Sequence, residues 1–194
     1  MVVLERIVSM LKLAKVVLVC IGLYWIFGSI TSHANAENTQ PVSTEGYYVE
    51  NIKRQDLISA VTRLYKKVSV QEAEQLVNLA YYHADKHRVK PSLILGIIAV
   101  ESRFDRKAVS PDGSKGYMQV LPRYHQDKIA GRNIHDPKTN IEVGTTILGA
   151  CVNKHKYINK ALACYNGAIT PSKARAYVKK VTQKTEQLEI VATI

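Results

Sequence analysis

The sequence predicts an all-α domain, and three observations carry that prediction. Apolar residues recur at three- and four-residue spacing through successive segments between residues 53 and 185, the period of one buried helix face. Helix start and stop signals punctuate those segments: Ser69 with Glu72 forms a capping box, Pro91 and Pro137 suit first helical turns, and Asn166-Gly167 is a C-terminal stop. No convincing alternation of apolar and polar residues marks a strand, and no internal repeat or nucleotide-binding loop appears. The 194 residues suffice for one domain with a proper core plus an appendage.

At the N-terminus, Arg6, Lys12 and Lys15 precede an apolar run over 16–30, and Ala34-Asn35-Ala36 follows among small residues. Basic head, short apolar run and Ala-x-Ala define a secretory signal peptide over 1–36, cut after Ala36, which places the mature chain in the periplasm. An uncleaved inner-membrane anchor is the alternative, although the run is short for a span. Membrane contact is then confined to residues 1–36. Cys20 follows Val19 inside the run and is not read as a lipid-attachment site.

Residues 37–52 carry Pro, Gly, Ser and Thr without helical period and read as a flexible leader. Leu57, Ile58, Val61, Leu64 and Tyr65 mark a first amphipathic helix from about Arg54 to Lys67, and Ala73, Leu76, Val77, Ala80 and Ala84 a second from Ser69 to about Arg88. His83 and His87 stand four apart, but no glutamate completes a zinc motif and lysines surround them. They read as surface histidines, with no metal expected. The third helix starts at Pro91 and is apolar all round through Val100, so it belongs in the core. A turn-rich loop over 110–116 follows. Asp136-Pro137 opens the next helix, with Ile141, Gly144, Ile147, Leu148, Cys151 and Val152 on its buried face. Gly144 there implies close packing. A small-residue helix over 161–167 leaves the Tyr165 hydroxyl to face a cleft. Ser172 then caps a basic helix running to about Gln183, with Ala174, Tyr177, Val178 and Val181 inward, and 186–194 reads as a frayed tail.

The formal charge of +11 suits a polyanionic partner such as nucleic acid, anionic lipid or an acidic wall polymer. The cations are scattered and no base-reading motif accompanies them, so nucleic acid is not expected. Cys151 and Cys164 read equally well as a disulfide or as two small buried side chains.

One residue stands out chemically. Glu101 ends the apolar helix, where partial burial disfavours the charged carboxylate and raises its pKa toward the range of a general acid. The plain alternative is a solvated helix-end residue paired with Arg103 or Arg106. Downstream, Gln119 offers an amide that can both donate to and accept from a polar ligand, flanked by apolar Tyr117, Met118 and Leu121.

Four segments in order, Glu101-Ser102 closing the apolar helix, Gly116-Tyr117-Met118-Gln119 after a Ser-Pro loop, Asn140-Ile141 with Gly144, and Ala161-Leu162-Ala163 leading to Tyr165-Asn166-Gly167, resemble the Slt-type lytic transglycosylases, relatives of goose-type lysozyme. The resemblance covers roughly residues 75–180 and implies a lysozyme-like helical domain, set here at 53–185, acting on peptidoglycan glycan strands without metal or cofactor. It implies Glu101 as catalytic acid/base, Ser110, Gln119 and Leu121 as substrate contacts, and Tyr165 with Asn166 beside Glu101. Tyr117 departs from the family's usual Leu and bears either on packing or on a sugar contact. No signature marks a second catalytic carboxylate among Asp105, Asp112, Asp127, Asp136 and Glu142. That fits a lytic reaction, in which the substrate's N-acetyl group assists and the muramyl 6-hydroxyl closes a 1,6-anhydro ring. A lysozyme-type hydrolase and a non-catalytic wall-binding scaffold of a secretion, conjugation, pilus or phage machine are the alternatives.

Overall fold

The computed structural model describes residues 44–155, 157–167 and 170–194. The signal or anchor segment 1–36 and the start of the leader lie outside them. Seven α-helices follow in order among the described residues: α1 (Thr44–Leu64), α2 (Val70–His87), α3 (Pro91–Glu101), α4 (Gln126–Ile129), α5 (Pro137–Lys154), α6 (Ile158–Asn166) and α7 (Pro171–Ala192), with a 3₁₀ turn at Pro122–Tyr124 before α4. The fold is all-α, as expected. Extended pairing among these residues is limited to isolated bridges of Lys115 with Val109 and Val120.

The core is built on α3. Ile94, Leu95, Ile97 and Ile98 are fully buried, each contributing about 2 kcal/mol of apolar transfer. Antiparallel to it runs α7, and three contacts set the register. The Ser92 hydroxyl donates to Glu189 Oε1 at 2.6 Å. A Cβ on Gly96 would lie 2.3 Å from Thr185 Oγ1, so only glycine admits the close approach. The Tyr177 hydroxyl donates to Glu101 Oε1 at 2.7 Å.

That register corrects the reading of the C-terminus. The last helix does not stop near Gln183, and 186–194 is not a frayed tail: Leu188 is fully buried and the helix runs to Ala192. Its cap is Thr170, whose hydroxyl accepts from the Lys173 N–H at 3.4 Å, and not Ser172. Pro171 takes the first helical position, which puts the cap one residue before it. At the other end, α1 begins at Thr44, inside the segment read as leader. Gly46 lies within it, a cost of about 1 kcal/mol that a long helix absorbs.

The expected signals act elsewhere as read. Ser69 caps α2 by accepting from the Glu72 N–H at 3.1 Å, Asp136 caps α5 by accepting from the Thr139 N–H at 3.0 Å, and Gly167 (φ 63°) ends α6. Gly144 is required where α5 meets Met118, whose Sδ would lie 2.6 Å from an added Cβ. The histidines differ from expectation. His83 is 3 % exposed and its ring stacks near-parallel on His87 at 6.4 Å, because it lies on the same face of α2 as Leu76 and Ala80 and packs inward. No described helix is long and apolar enough to cross a membrane.

Candidate active site

Glu101 is the last residue of α3, and the chain leaves it abruptly. Arg103 (φ 52°) and Phe104 (φ 64°) both adopt the left-handed conformation, costing non-glycine residues roughly 1–2 kcal/mol each. Burial of Phe104, 4 % exposed with its ring 4.5 Å from that of Tyr65, opposes that cost. The acid is thus held at the end of a rigid rod, and no described ion pair joins it to Arg103 or Arg106. Arg106 instead donates to the His135 carbonyl at 2.8 Å.

Burial pushes the Glu101 carboxyl up to about 7. The hydrogen bond from Tyr177 favours the ionised form and opposes the rise, while the negative charge of Asp112 adds to it. The hydroxyls of Tyr177 and Tyr165 are pushed well above their ordinary range, mainly by burial and further by the Glu101 charge, so both remain protonated.

Glu101 lines a cleft of about 730 Å³ together with Ser110, Gln119, Leu121, Tyr165 and Asn166. The structure therefore brings all the sequence-derived site residues to one place, with their bonding differing in detail from the expectation. The Gln119 amide NH₂ donates to the carbonyls of Ala108 (3.2 Å) and Gly116 (3.0 Å), so its oxygen is what remains for a ligand, as an acceptor. These bonds also hold Gln119 at φ 47°. The Tyr165 hydroxyl is not free to face the cleft as donor: it donates to the Met118 carbonyl at 2.8 Å. Ser110 donates to Asp112 and accepts from the Ser114 N–H at 2.9 Å. Tyr117 is 1 % exposed and donates to Glu72, so this departure from the family pattern concerns packing and not a sugar.

Asn140 organises the opposite wall from a fully buried position. Its Oδ1 accepts from the Met118 N–H at 2.8 Å, and its Nδ2 donates to the carbonyls of Lys115 (2.8 Å) and Ile134 (2.9 Å). Gly116 is the residue that fits against this amide, since a Cβ there would lie 2.4 Å from Asn140 Nδ2. A disulfide between Cys151 and Cys164, Cα atoms 5.8 Å apart, fastens α6 to α5 beside Tyr165. This decides the question the sequence left open.

Sequence reasoning missed the cleft residues Arg123, Tyr124 and His125, left Asp112 undistinguished among five carboxylates, and read Tyr177 as a core residue only. For Tyr177 a signal existed: a buried tyrosine on an apolar stripe needs a partner for its hydroxyl. The others sit in turns whose sequence does not show what they face. Among the described residues no group of three or more His, Cys, Asp or Glu side chains could hold a metal ion.

Fold and site together define a helical domain whose cleft carries one acid of raised pKa, steadied by a tyrosine from a second helix. Residues 78–190 match the transglycosylase SLT domain, and the chain belongs to that family. It is 37 % identical over 86 residues to the membrane-bound lytic murein transglycosylase C of Actinobacillus pleuropneumoniae serotype 5b (strain L20), covering 39 % of this chain and 24 % of that protein. The protein of the same name from Haemophilus ducreyi is 34 % identical over 98 residues, covering 43 % and 25 %. A transglycosylase of Enterobacteria phage PRD1 is 26 % identical over 107 residues, covering 53 % and 40 %. The chain thus spans about a quarter of the length of the two bacterial relatives and two fifths of the phage protein.

Proposed function

We propose that this chain is a peptidoglycan lytic transglycosylase that cleaves the β-1,4 bond between N-acetylmuramic acid and N-acetylglucosamine and leaves a 1,6-anhydromuramyl end. The observation that carries the reading is Glu101, a carboxyl that stays protonated up to about pH 7 in an open cleft.

Glu101 gives its proton to the glycosidic oxygen as the bond to C1 breaks, and N-acetylglucosamine leaves with a neutral 4-hydroxyl. The carbonyl oxygen of the muramyl N-acetyl group stabilises the positive charge at C1. Tyr177, already donating to Oε1, holds the carboxylate that this step creates. Because that bond strengthens as charge develops, it favours the transition state over the ground state. The carboxylate then takes the proton of the muramyl 6-hydroxyl as O6 bonds to C1, which restores the acid. Ser110, Leu121 and Asn166 contact the glycan in this scheme, the Gln119 oxygen accepts from a sugar hydroxyl or N–H, and Tyr165 borders the acid.

A second reading has an observation of its own. Asp112 shares the cleft, and its carboxyl is held below the usual range by the Ser110 and Ser114 hydroxyls. An ionised partner for Glu101 is what a lysozyme-type hydrolase uses. Mass spectrometry of peptidoglycan digested by the full chain separates the two: anhydromuramyl products are expected, and reducing ends formed by water would replace the lytic reading with the hydrolytic one.

The envelope setting belongs to the same proposal, supported by the basic and apolar head of the sequence and by membrane-bound relatives. Removal of 1–36 into the periplasm predicts a mature N-terminus at Glu37, which N-terminal sequencing reads. Service to a secretion, conjugation or phage machine rests on the phage relative.

A further inference from the structure

The Pro122–Tyr124 turn sets Arg123 and Tyr124 on the rim of the cleft that holds Glu101. Tyr124 is 68 % exposed, too open to be a packing residue. The Arg123 guanidinium carbon lies 5.0 Å from the Tyr124 ring centroid, so cation and ring present one surface. Among the described residues lining the cleft, Arg123 is the sole guanidinium or ammonium group. No described carboxylate pairs with it, whereas its neighbours are engaged: Lys128 with Asp127 at 2.8 Å and Arg132 with Glu142 at 2.9 Å.

The turn is also firmly built. Pro122 occupies its first position, the Tyr124 N–H donates to the Leu121 carbonyl at 3.2 Å, and the His125 N–H donates to the Pro122 carbonyl at 3.1 Å. Val120 before it and Ile129 after it are buried in one cluster with Ile134 and Val143. Elsewhere in the cleft the Asp112 carboxyl is held ionised by the Ser110 and Ser114 hydroxyls. A negatively charged glycan meets that charge inside the cleft, and Arg123 is the cation that offsets it.

We propose that Arg123 and Tyr124 form a subsite for a sugar bearing a carboxylate, with the Tyr124 ring against the apolar face of the sugar and the guanidinium on the carboxylate. The proposal rests on the glycan-cleaving reading and specifies which glycans the cleft takes. In peptidoglycan the carboxylate has two sources, the free lactyl acid of a muramyl residue stripped of peptide and the acids of an attached stem peptide. A polymer of N-acetylglucosamine alone has neither.

The test is equilibrium binding to the full chain carrying Glu101→Gln, which reads affinity without turnover. The probes are soluble glycan strands with stem peptides, the same strands after enzymatic removal of the peptides, and chitin oligosaccharides. Adding Arg123→Gln is expected to weaken binding to carboxylate-bearing strands about fivefold, to leave chitin oligosaccharides unchanged, and to be partly rescued by Arg123→Lys. Loss on peptide-bearing strands alone assigns the stem peptide, loss on stripped strands alone assigns the lactyl acid, and loss on both shows that the subsite takes either carboxylate. Equal loss on all three probes, or none on any, overturns the subsite. A wild-type chain that binds strands in this pattern but cleaves nothing would sink the catalytic proposal and leave this one standing.

Discussion

Glu101 and Asp112 line one cleft, yet their carboxyls are driven in opposite directions. Glu101 stands at the end of an apolar rod, α3, with α7 laid along it, and burial pushes it up to about 7. Asp112 stands in a Ser-rich turn open to water, where two hydroxyls hold it below its ordinary value. The difference teaches that the role of each carboxylate is set by what surrounds it. The helical wall removes water and makes an acid, whereas the loop wall supplies hydrogen bonds and keeps an anion.

The comparison is open to attack at four points, the largest effect first. The loop wall depends on Asn140, so Asn140→Leu strands one N–H and two carbonyls and is expected to cost about 4 kcal/mol in urea unfolding. A loss under 1 kcal/mol would mean the loop holds itself. The helical wall is tested through pH. Glu101 is neutral in the fold up to about 7 but ionises near 4.5 when unfolded. Its stabilising protonation is fully present below pH 4.5 and lost as pH rises through 7. Relative to Glu101→Gln, the wild type should therefore lose about 3 kcal/mol between pH 4 and pH 8, whereas a constant difference would show that the carboxyl is not desolvated.

Two smaller changes sharpen the contrast. Tyr177→Phe removes the bond that favours the Glu101 carboxylate. It should lower kcat about tenfold and move the alkaline limb of the rate profile upward, with thermal unfolding little changed. A lost kcat with an unmoved limb would assign Tyr177 to packing alone. Asp112→Asn should change kcat less than about threefold if only Glu101 performs the chemistry, and a loss of about a hundredfold or more would move the assignment to a two-carboxylate hydrolase.

Much of the apolar side of the comparison was legible in advance, and little of the polar side was. An all-round apolar run can only be a core helix, so α3 and the acid at its end follow from composition, as do the glycines at 144 and 167. The end of α7 was not legible because Thr185 and Glu189 meet α3 through polar atoms, which interrupts the apolar stripe between Val181 and Leu188. His83 was misread although it keeps the spacing of the buried stripe, because the lysines around it suggested solvent. The partners of the tyrosines lie 47 residues from Tyr165 and 76 from Tyr177, and local pattern carries nothing over that distance. Asp112 sits in a Ser-Pro-Asp-Gly turn like any other, and its place beside Glu101 is a product of the fold.

The most direct test is the titration of the Glu101 carboxyl itself, followed by ¹³C NMR of the full chain with Glu101→Gln as the assignment control. The account requires a midpoint about 7 for Glu101 and one below 3.8 for Asp112 in the same sample. A Glu101 midpoint near 4.5, the value of a carboxyl open to water, would contradict it.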